Sequence, residues 1–494
     1  MKKIKWKVVV VCLCCIAVIC GIVVLGKKVT TEENLCYYKQ ELFFDETNNK
    51  IEGKQTVGFY NYTENVLNSV CLHLYPNAFR QGAKASVVSL ANYEKAYPNG
   101  KSYGGIVVES VCSGEKYLEY TLCGVDENIL EVNMGQELYP GETFEFEVGF
   151  FVSLANINHR LGYGKNTINL CNYYPVLCVY ENGGWVQDLY NSNGDPFYSK
   201  CANYEVCLTY NKNYTLASTG KQKNVLDGDK KITTMQANKV RDFAMVLSSK
   251  FNNLEEFYDG IEIDYYYYGD STPKQTMTAI KEVLEMNKKY GKYPYKNLSV
   301  VEANFVHGGM EYPNIVLISD SLADYETYIN VVVHELCHQW WYGVVGNNQY
   351  KYGFLDEGLT DYNTAKFYET YPKYGLNANK IFNNATNGYV TFTKVYGDVK
   401  KDFSTSMLRS LNEFETENEY VYLTYVKGML MFASLEQIIG TKKMDKCIKY
   451  YFDQFKFKEA TPQDLANCFS RASKKNLYSF FSSWFDGEVV IDSF

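Results

Sequence analysis

The stretch VVVHELCHQWWYGVVGNNQYKYGFLDEGLTDY, residues 331–362, decides the reading of this chain. On a helix, His334 and His338 are four residues apart and share one face. Two imidazoles so placed can bind one Zn²⁺, and Glu335 between them can act on water beside the metal. A third ligand is needed that leaves the fourth position open. Glu357 supplies it, in the segment FLDEGLTDY, which itself reads as helix. Three protein ligands and an open position describe a catalytic zinc site built to hydrolyse an amide bond, whereas a structural site would be closed, usually by cysteines. The plain alternative is a buried helix whose histidines are satisfied by core hydrogen bonds. Against it, two of only five histidines in the chain fall in this pattern. Cys337 lies between the ligands but points away from the metal on the helix, so it reads as packing.

Two further segments extend the pattern. Gly308-Gly309-Met310-Glu311-Tyr312 lies upstream and Tyr425-Val426-Lys427-Gly428 downstream. With the zinc segment between them, they resemble, in order and spacing, the GxMEN, HExxH and YxKG signatures of the M1 aminopeptidases, gluzincins with a thermolysin-like catalytic domain. HLYPNAF (73–79) is a softer match in the N-terminal half. The resemblance implies a zinc-dependent peptidase that releases N-terminal residues from peptides through a zinc-activated water, with one zinc per chain. It implies Glu335 as general base and Tyr425 as the hydroxyl that stabilises the oxyanion, Tyr420 and Tyr422 being near rivals in sequence. Gly308, Gly309, Met310 and Glu311 would line the substrate site on an edge strand, with Glu311 holding the free α-amine; Tyr312 stands where the family usually has Asn. Asp361, four residues after Glu357, would orient a ligand histidine, as such partners of metal-bound imidazoles do. A second amine-binding residue is expected in the N-terminal half, where Asn169, Asn172 and Glu181 lie in the right vicinity. SFFSSWFDG (479–487) resembles the end of the family's catalytic domain, which implies a short form lacking the C-terminal helical domain of larger members.

Length and composition bound the rest. The chain has 494 residues, enough for two or three domains, and its 46% hydrophobic content is that of a globular protein with ample core. A net charge of −8 with no basic stripe beyond the extreme N-terminus argues against a nucleic-acid partner. VVVVCLCCIAVICGIVVL (8–25) is an unbroken apolar run flanked by Lys2, Lys3, Lys5 and Lys7 on one side and Lys27 and Lys28 on the other. It is just long enough to cross a bilayer, and the heavier N-terminal charge places that end in the cytoplasm. The expectation is a single-pass anchor in the cell membrane with the catalytic part outside the cytoplasm; a cleaved secretory signal is the alternative. Eleven cysteines lie beyond this run, an odd number, so they cannot all pair within the chain. Cys171 with Cys178, or Cys201 with Cys207, are pairings left open. His73, His159 and His307 receive no role, because a lone histidine is more often structural than a ligand.

The texture of the chain predicts an α+β multidomain protein. Residues 1–28 form a cytoplasmic stub and transmembrane anchor. Residues 29–240, with runs such as YLEYTLCGV and FEFEVGFFV broken by NG, GG and DG, read as an antiparallel β domain. Residues 241–494 read as a thermolysin-like mixed α/β zinc peptidase domain, with TPKQTMTAIKEVLEMNKKYG a helix opening at Thr272-Pro273. The partners implied are a peptide substrate and, through the anchor, the membrane. Two rival functions share these features: a zinc endopeptidase, and an inactive peptide-binding surface protein.

Overall fold

The computed structural model describes residues 34–400, 403–487 and 489. Strict alternation of apolar and polar residues makes the N-terminal part a β structure. In the strand Thr143–Ser153, TFEFEVGFFVS, Phe144, Phe146, Val148, Phe150 and Val152 all turn inward. That strand sits inside an eight-stranded sheet, between Lys50–Tyr60 and Gly105–Ser113. One pair in the sheet is parallel, Tyr37–Asp45 with Ala202–Asn211, and the long intervening chain makes the crossover that a parallel pair requires. Two four-stranded sheets and a two-stranded hairpin (Tyr180–Glu181 with Gly184–Trp185) complete this part. In one of them Ala244–Ser248 pairs with Ile168–Cys171 and Thr215–Ser218, so the β part runs past residue 240.

The catalytic part begins with a five-stranded sheet: β1 (Asn252–Tyr258), β2 (Ile261–Tyr267), β3 (Asn297–Ala303), β4 (Gly309–Met310) and β5 (Ile315–Ser319), in the order β1-β2-β3-β5-β4. β2, β3 and β5 are parallel, and β4 runs antiparallel at the edge. The first helix of more than two turns, α1 (Pro273–Asn287), crosses from β2 to β3, burying Met277, Ile280, Val283 and Leu284 on one face. It is followed by α2 (Tyr325–Cys337), capped by the Asp324 side chain, and α3 (Glu357–Thr370). Then come α4 (Ala378–Val399), α5 (Lys427–Ile439), α6 (Thr441–Phe455), α7 (Pro462–Ser473) and α8 (Tyr478–Asp486). In α6, Met444, Cys447, Ile448, Tyr451 and Phe452 recur at three- and four-residue spacing and are buried, the stripe by which it packs on the core.

Two expectations are corrected. α4 to α8 form a helical C-terminal part after the zinc-site helices, so the reading of a short form without one does not hold. The membrane anchor gains no support either. Among the described residues no helix is long and apolar enough to cross a membrane. The run at 8–25 on which the anchor, the membrane partner and the single-pass localisation rested lies outside the described residues. Neither left-open disulfide is formed, since Cys171, Cys178 and Cys201 are thiols, and eight of the eleven cysteines beyond that run are buried as small apolar groups.

Candidate metal centre and active-site cleft

The last turn of α2 presents His334 and Glu335. His338, just past the helix end, keeps right-handed helical backbone and so stays on the same face. Glu357 is the first residue of α3, where the positive end of the helix favours a carboxylate. The three side chains converge: His338 Nε2 lies 3.1 Å from His334 Nε2 and 3.1 Å from Glu357 Oε2, and His334 Nε2 lies 3.3 Å from that same oxygen. A triangle with these edges is what ligands at about 2 Å from a tetrahedral ion make. The opposite ring nitrogens are already engaged. His334 Nδ1 is 2.9 Å from Asp361 Oδ1; His338 Nδ1 is 2.9 Å from the Trp341 carbonyl and 3.2 Å from Thr360 Oγ1. Donating Nδ1–H to these oxygens leaves both Nε2 lone pairs facing the centre.

Electrostatics give the same answer. Burial alone would push both histidines down, yet the carboxylates around them reverse it: Glu357 and Glu311 lift His338 to about 10, and Asp361 and Glu357 hold His334 well above its ordinary value. Burial likewise pushes the Glu357 carboxyl up, but His338 and His334 outweigh it and hold it well below the usual range. A buried cluster that draws positive charge this strongly fits one zinc ion.

Around this centre lies a cavity of about 300 Å³, lined among others by Asp195, Gly309, Met310, His334, Glu335 and Tyr425. Glu335 is 5% exposed; burial lifts its carboxyl to about 7, against the lowering effect of His334 and His338. Tyr425 comes from one turn of π-helix, Tyr422–Val426, and its hydroxyl donates to Glu357 Oε1 at 2.6 Å. The contact depends on two glycines. A Cβ on Gly358 would lie 2.7 Å from Gly428 Cα, and one on Gly428 would lie 2.8 Å from Gly358 Cα, so α3 and α5 touch backbone to backbone. Of the rival tyrosines, Tyr420 also lines the cavity, while Tyr422 stacks on Phe392 away from it. Lys427 turns inward and donates to the Thr405 and Gly487 carbonyls.

β4 places Gly309 directly against Glu335 and carries the chain into Glu311, which is 3% exposed and accepts from Gln349 Nε2 at 2.7 Å. Gln349 also donates to Asp356 at 2.9 Å, bridging two buried acids. Gly308 faces Val331 without crowding. Tyr312 fills the position after Glu311 as an anchor, donating to Asn172 Oδ1 at 2.6 Å. The three N-terminal candidates divide accordingly. Asn172 serves Tyr312, Asn169 ties the His159 and Asn304 carbonyls, and Glu181 accepts from Tyr198. None of them is among the residues lining the cavity. Among the residues of the β part that line the cavity, Asp195 is the one that brings a carboxylate to the centre. Its carboxylate oxygen and those of Glu311 and Glu357 lie within 4.8 Å of one another. Arg160 pairs with it at 2.6 Å, both side chains largely buried. Asp195 sits in NSNGDP, which reads only as a turn. Nothing local in the sequence marks it, because its place depends on Asn193 donating to the Phe414 carbonyl across the two parts of the molecule.

Comparison with known proteins agrees with this geometry. Residues 275–484 match the model of the peptidase family M1 domain. Leucine aminopeptidase 2-1 of Meyerozyma guilliermondii is 27% identical over 208 residues, 39% of this chain and 30% of that protein. Leucine aminopeptidase 2 of Ajellomyces capsulatus is 27% identical over 212 residues, 42% of this chain and 31% of that protein. The chain thus spans about three tenths of the length of these curated relatives. An M1 zinc metallopeptidase of Deinococcus radiodurans shares the fold with a TM-score of 0.64 at 12% identity, covering 93% of this chain and 96% of that one. A mutant of it bound to a Tyr-Ser-Ala substrate aligns with a TM-score of 0.64 at 14% identity, over 93% and 95%. Coverage of both chains nearly end to end is the second ground for setting aside the short-form reading. The His334, His338 and Glu357 cluster, set in a matched domain, is the catalytic architecture of an M1-type zinc metallopeptidase, a zinc-dependent hydrolytic machinery.

Proposed function

We propose that the chain is an aminopeptidase, which removes residues from the free N-terminus of peptides. The observation that carries the reading is the approach of Asp195 to Glu311 beside the metal cluster. Burial raises Glu311 well above the usual carboxylate range, and Asp195 raises it further. Arg160 neutralises Asp195 from one side, while the side chain that hydrogen-bonds the Glu311 carboxyl is the neutral Gln349. A substrate ammonium set between the two carboxylates would relieve that strain, while an acetylated or internal amide would leave Glu311 buried and uncompensated. The names of the curated relatives and the tripeptide bound to the solved relative support the same substrate class.

Zinc held by His334, His338 and Glu357 would polarise the scissile carbonyl and lower the pKa of a water in the open position. Glu335, lifted to about 7, would accept the proton from that water and return it to the leaving amine. Asp361 would hold the His334 ring in the tautomer that leaves Nε2 free. The Tyr425 hydroxyl would turn from Glu357 to the oxygen that gains charge on the scissile carbon. Gly308, Gly309 and Met310 would let the substrate backbone lie along the β4 edge.

The test is digestion of a peptide set in free and N-acetylated forms, read by mass spectrometry, with Glu335→Gln as the control. Ladders from the N-terminus of free peptides only are expected, and Glu311→Gln and Asp195→Asn should each raise KM for them. Internal cuts that ignore acetylation would make the protein an endopeptidase and overturn the reading.

A further inference from the structure

The loop after α2 is held by the β part of the molecule at the point where it meets a metal ligand. The carbonyl that accepts His338 Nδ1–H belongs to Trp341. The next residue, Tyr342, has φ of +133°, a conformation that side-chain-bearing residues avoid. Such a backbone persists only where its surroundings over-determine it. Two neighbours in sequence, both just before the last strand of the β part (Ala244–Ser248) and both 1% exposed, supply the constraint. Arg241 Nε donates to the Tyr342 carbonyl at 2.9 Å, and the Tyr342 hydroxyl donates to Asp242 Oδ2. Arg241 is itself fixed from three further directions: Nη1 donates to the Ser199 carbonyl at 3.1 Å and to Glu459 Oε1 at 2.6 Å, and Nη2 to the Lys458 carbonyl at 2.7 Å. Its guanidinium lies flat on Gly346, where any Cβ would overlap it. The strand Val345–Asn347 that follows pairs with Lys458–Ala460, the segment that carries Glu459.

We propose that Arg241 and Asp242 are positioning residues for the zinc ligand His338, acting through Tyr342 to keep the Trp341 carbonyl on Nδ1. Both ends of the Tyr342 residue are pinned, the carbonyl by one side chain and the ring by the next. Releasing either end lets the backbone relax towards an ordinary conformation and draws the Trp341 carbonyl away from the imidazole. Thr360 Oγ1, at 3.2 Å from Nδ1, then remains as the lesser partner, so the ligand is weakened and not lost. The consequence is that metal affinity in the catalytic part depends on two side chains of the β part. This inference rests on the zinc reading of the site and is independent of the exopeptidase assignment.

The test measures zinc dissociation constants of the full chain by competition with a chromophoric chelator. The variants are Tyr342→Phe, Arg241→Lys and, as comparison, Lys200→Ala, which removes a partner of Glu459 in the same cluster without touching Tyr342. All are measured well below their own unfolding midpoints, and the visible spectrum of the cobalt-substituted protein is recorded alongside. Tyr342→Phe and Arg241→Lys are expected to weaken zinc by about tenfold or more and to shift the cobalt bands, with Lys200→Ala unchanged in both. If Tyr342→Phe does not fold, Arg241→Lys carries the same comparison. Unchanged affinity and cobalt spectrum in the folded variants, or equal weakening in Lys200→Ala, would overturn the positioning role. Failure of the unaltered chain to bind zinc would instead overturn the zinc reading itself.

Discussion

Gly309 is the position where one added methyl group should separate binding from chemistry. A Cβ there would overlap Glu335 Oε1 and lie 2.5 Å from both Glu335 Cδ and Cγ. Ordinary contacts of this kind fall at about 3.5 Å, so the outer half of the Glu335 side chain must retreat by about 1 Å. Gly308 offers the internal control, since a Cβ there meets the Val331 side chain at ordinary contact distances of 3.5 and 3.9 Å. Displacement of a reacting group by about 1 Å costs about 10²-fold in rate, or about 2.7 kcal/mol of barrier. The expected outcome for Gly309→Ala is therefore a kcat lower by about 10²-fold, with zinc content and thermal stability close to those of the unaltered chain. Gly308→Ala, which leaves Glu335 untouched, should keep its kcat within about threefold of the unaltered chain. The assay is steady-state hydrolysis of an aminoacyl nitroanilide, with zinc content measured on the same samples. Full activity in Gly309→Ala would show that the Glu335 carboxylate is not the group whose position limits the reaction. Loss of zinc in that variant would show that the added methyl acts on the ligands and not on Glu335.

Tyr425→Phe removes the donor to Glu357 Oε1; kcat should fall by about 10²–10³ with zinc retained, and a loss confined to KM would refute the oxyanion role. Gly428→Ala forces α3 and α5 apart where their backbones touch, and should lower stability by about 1–3 kcal/mol in urea titrations, with an added loss of activity as Tyr425 leaves Glu357. His73, 2% exposed, is pushed down by burial to about 4. Between that value and the ordinary 6.5 the unfolded chain binds the proton and the folded chain does not, so stability should fall as pH drops through this window. The full effect is about 3 kcal/mol, visible as a slope in unfolding free energy that His73→Phe flattens.

The sequence by itself determined the chemistry of the centre, because the zinc pattern is local. Two histidines one helical turn apart meet on one face wherever the helix goes, and the acid between them follows. The β texture of the N-terminal half and the helix from Thr272-Pro273 were legible for the same reason, as short-range periodicity fixes which face is buried. The resemblance to a known motif put Gly309 and Met310 on the edge strand, and Glu311 follows directly after it. What only the tertiary structure decided are contacts between segments far apart in the chain. Asp195 enters the cleft from a turn with no signature, carried there by Asn193 on the Phe414 carbonyl and by Arg160. The glycine contact of Gly358 with Gly428 brings Tyr425 onto Glu357, and Arg241 reaches Tyr342 across the two parts of the molecule. SFFSSWFDG, read from sequence as the end of a short form, is the last of the helices α4 to α8 that make up a helical C-terminal part. Side chains far apart in sequence meet through packing that no local pattern encodes, since each of these contacts is set by the summed fit of whole elements and not by the spacing of residues within one.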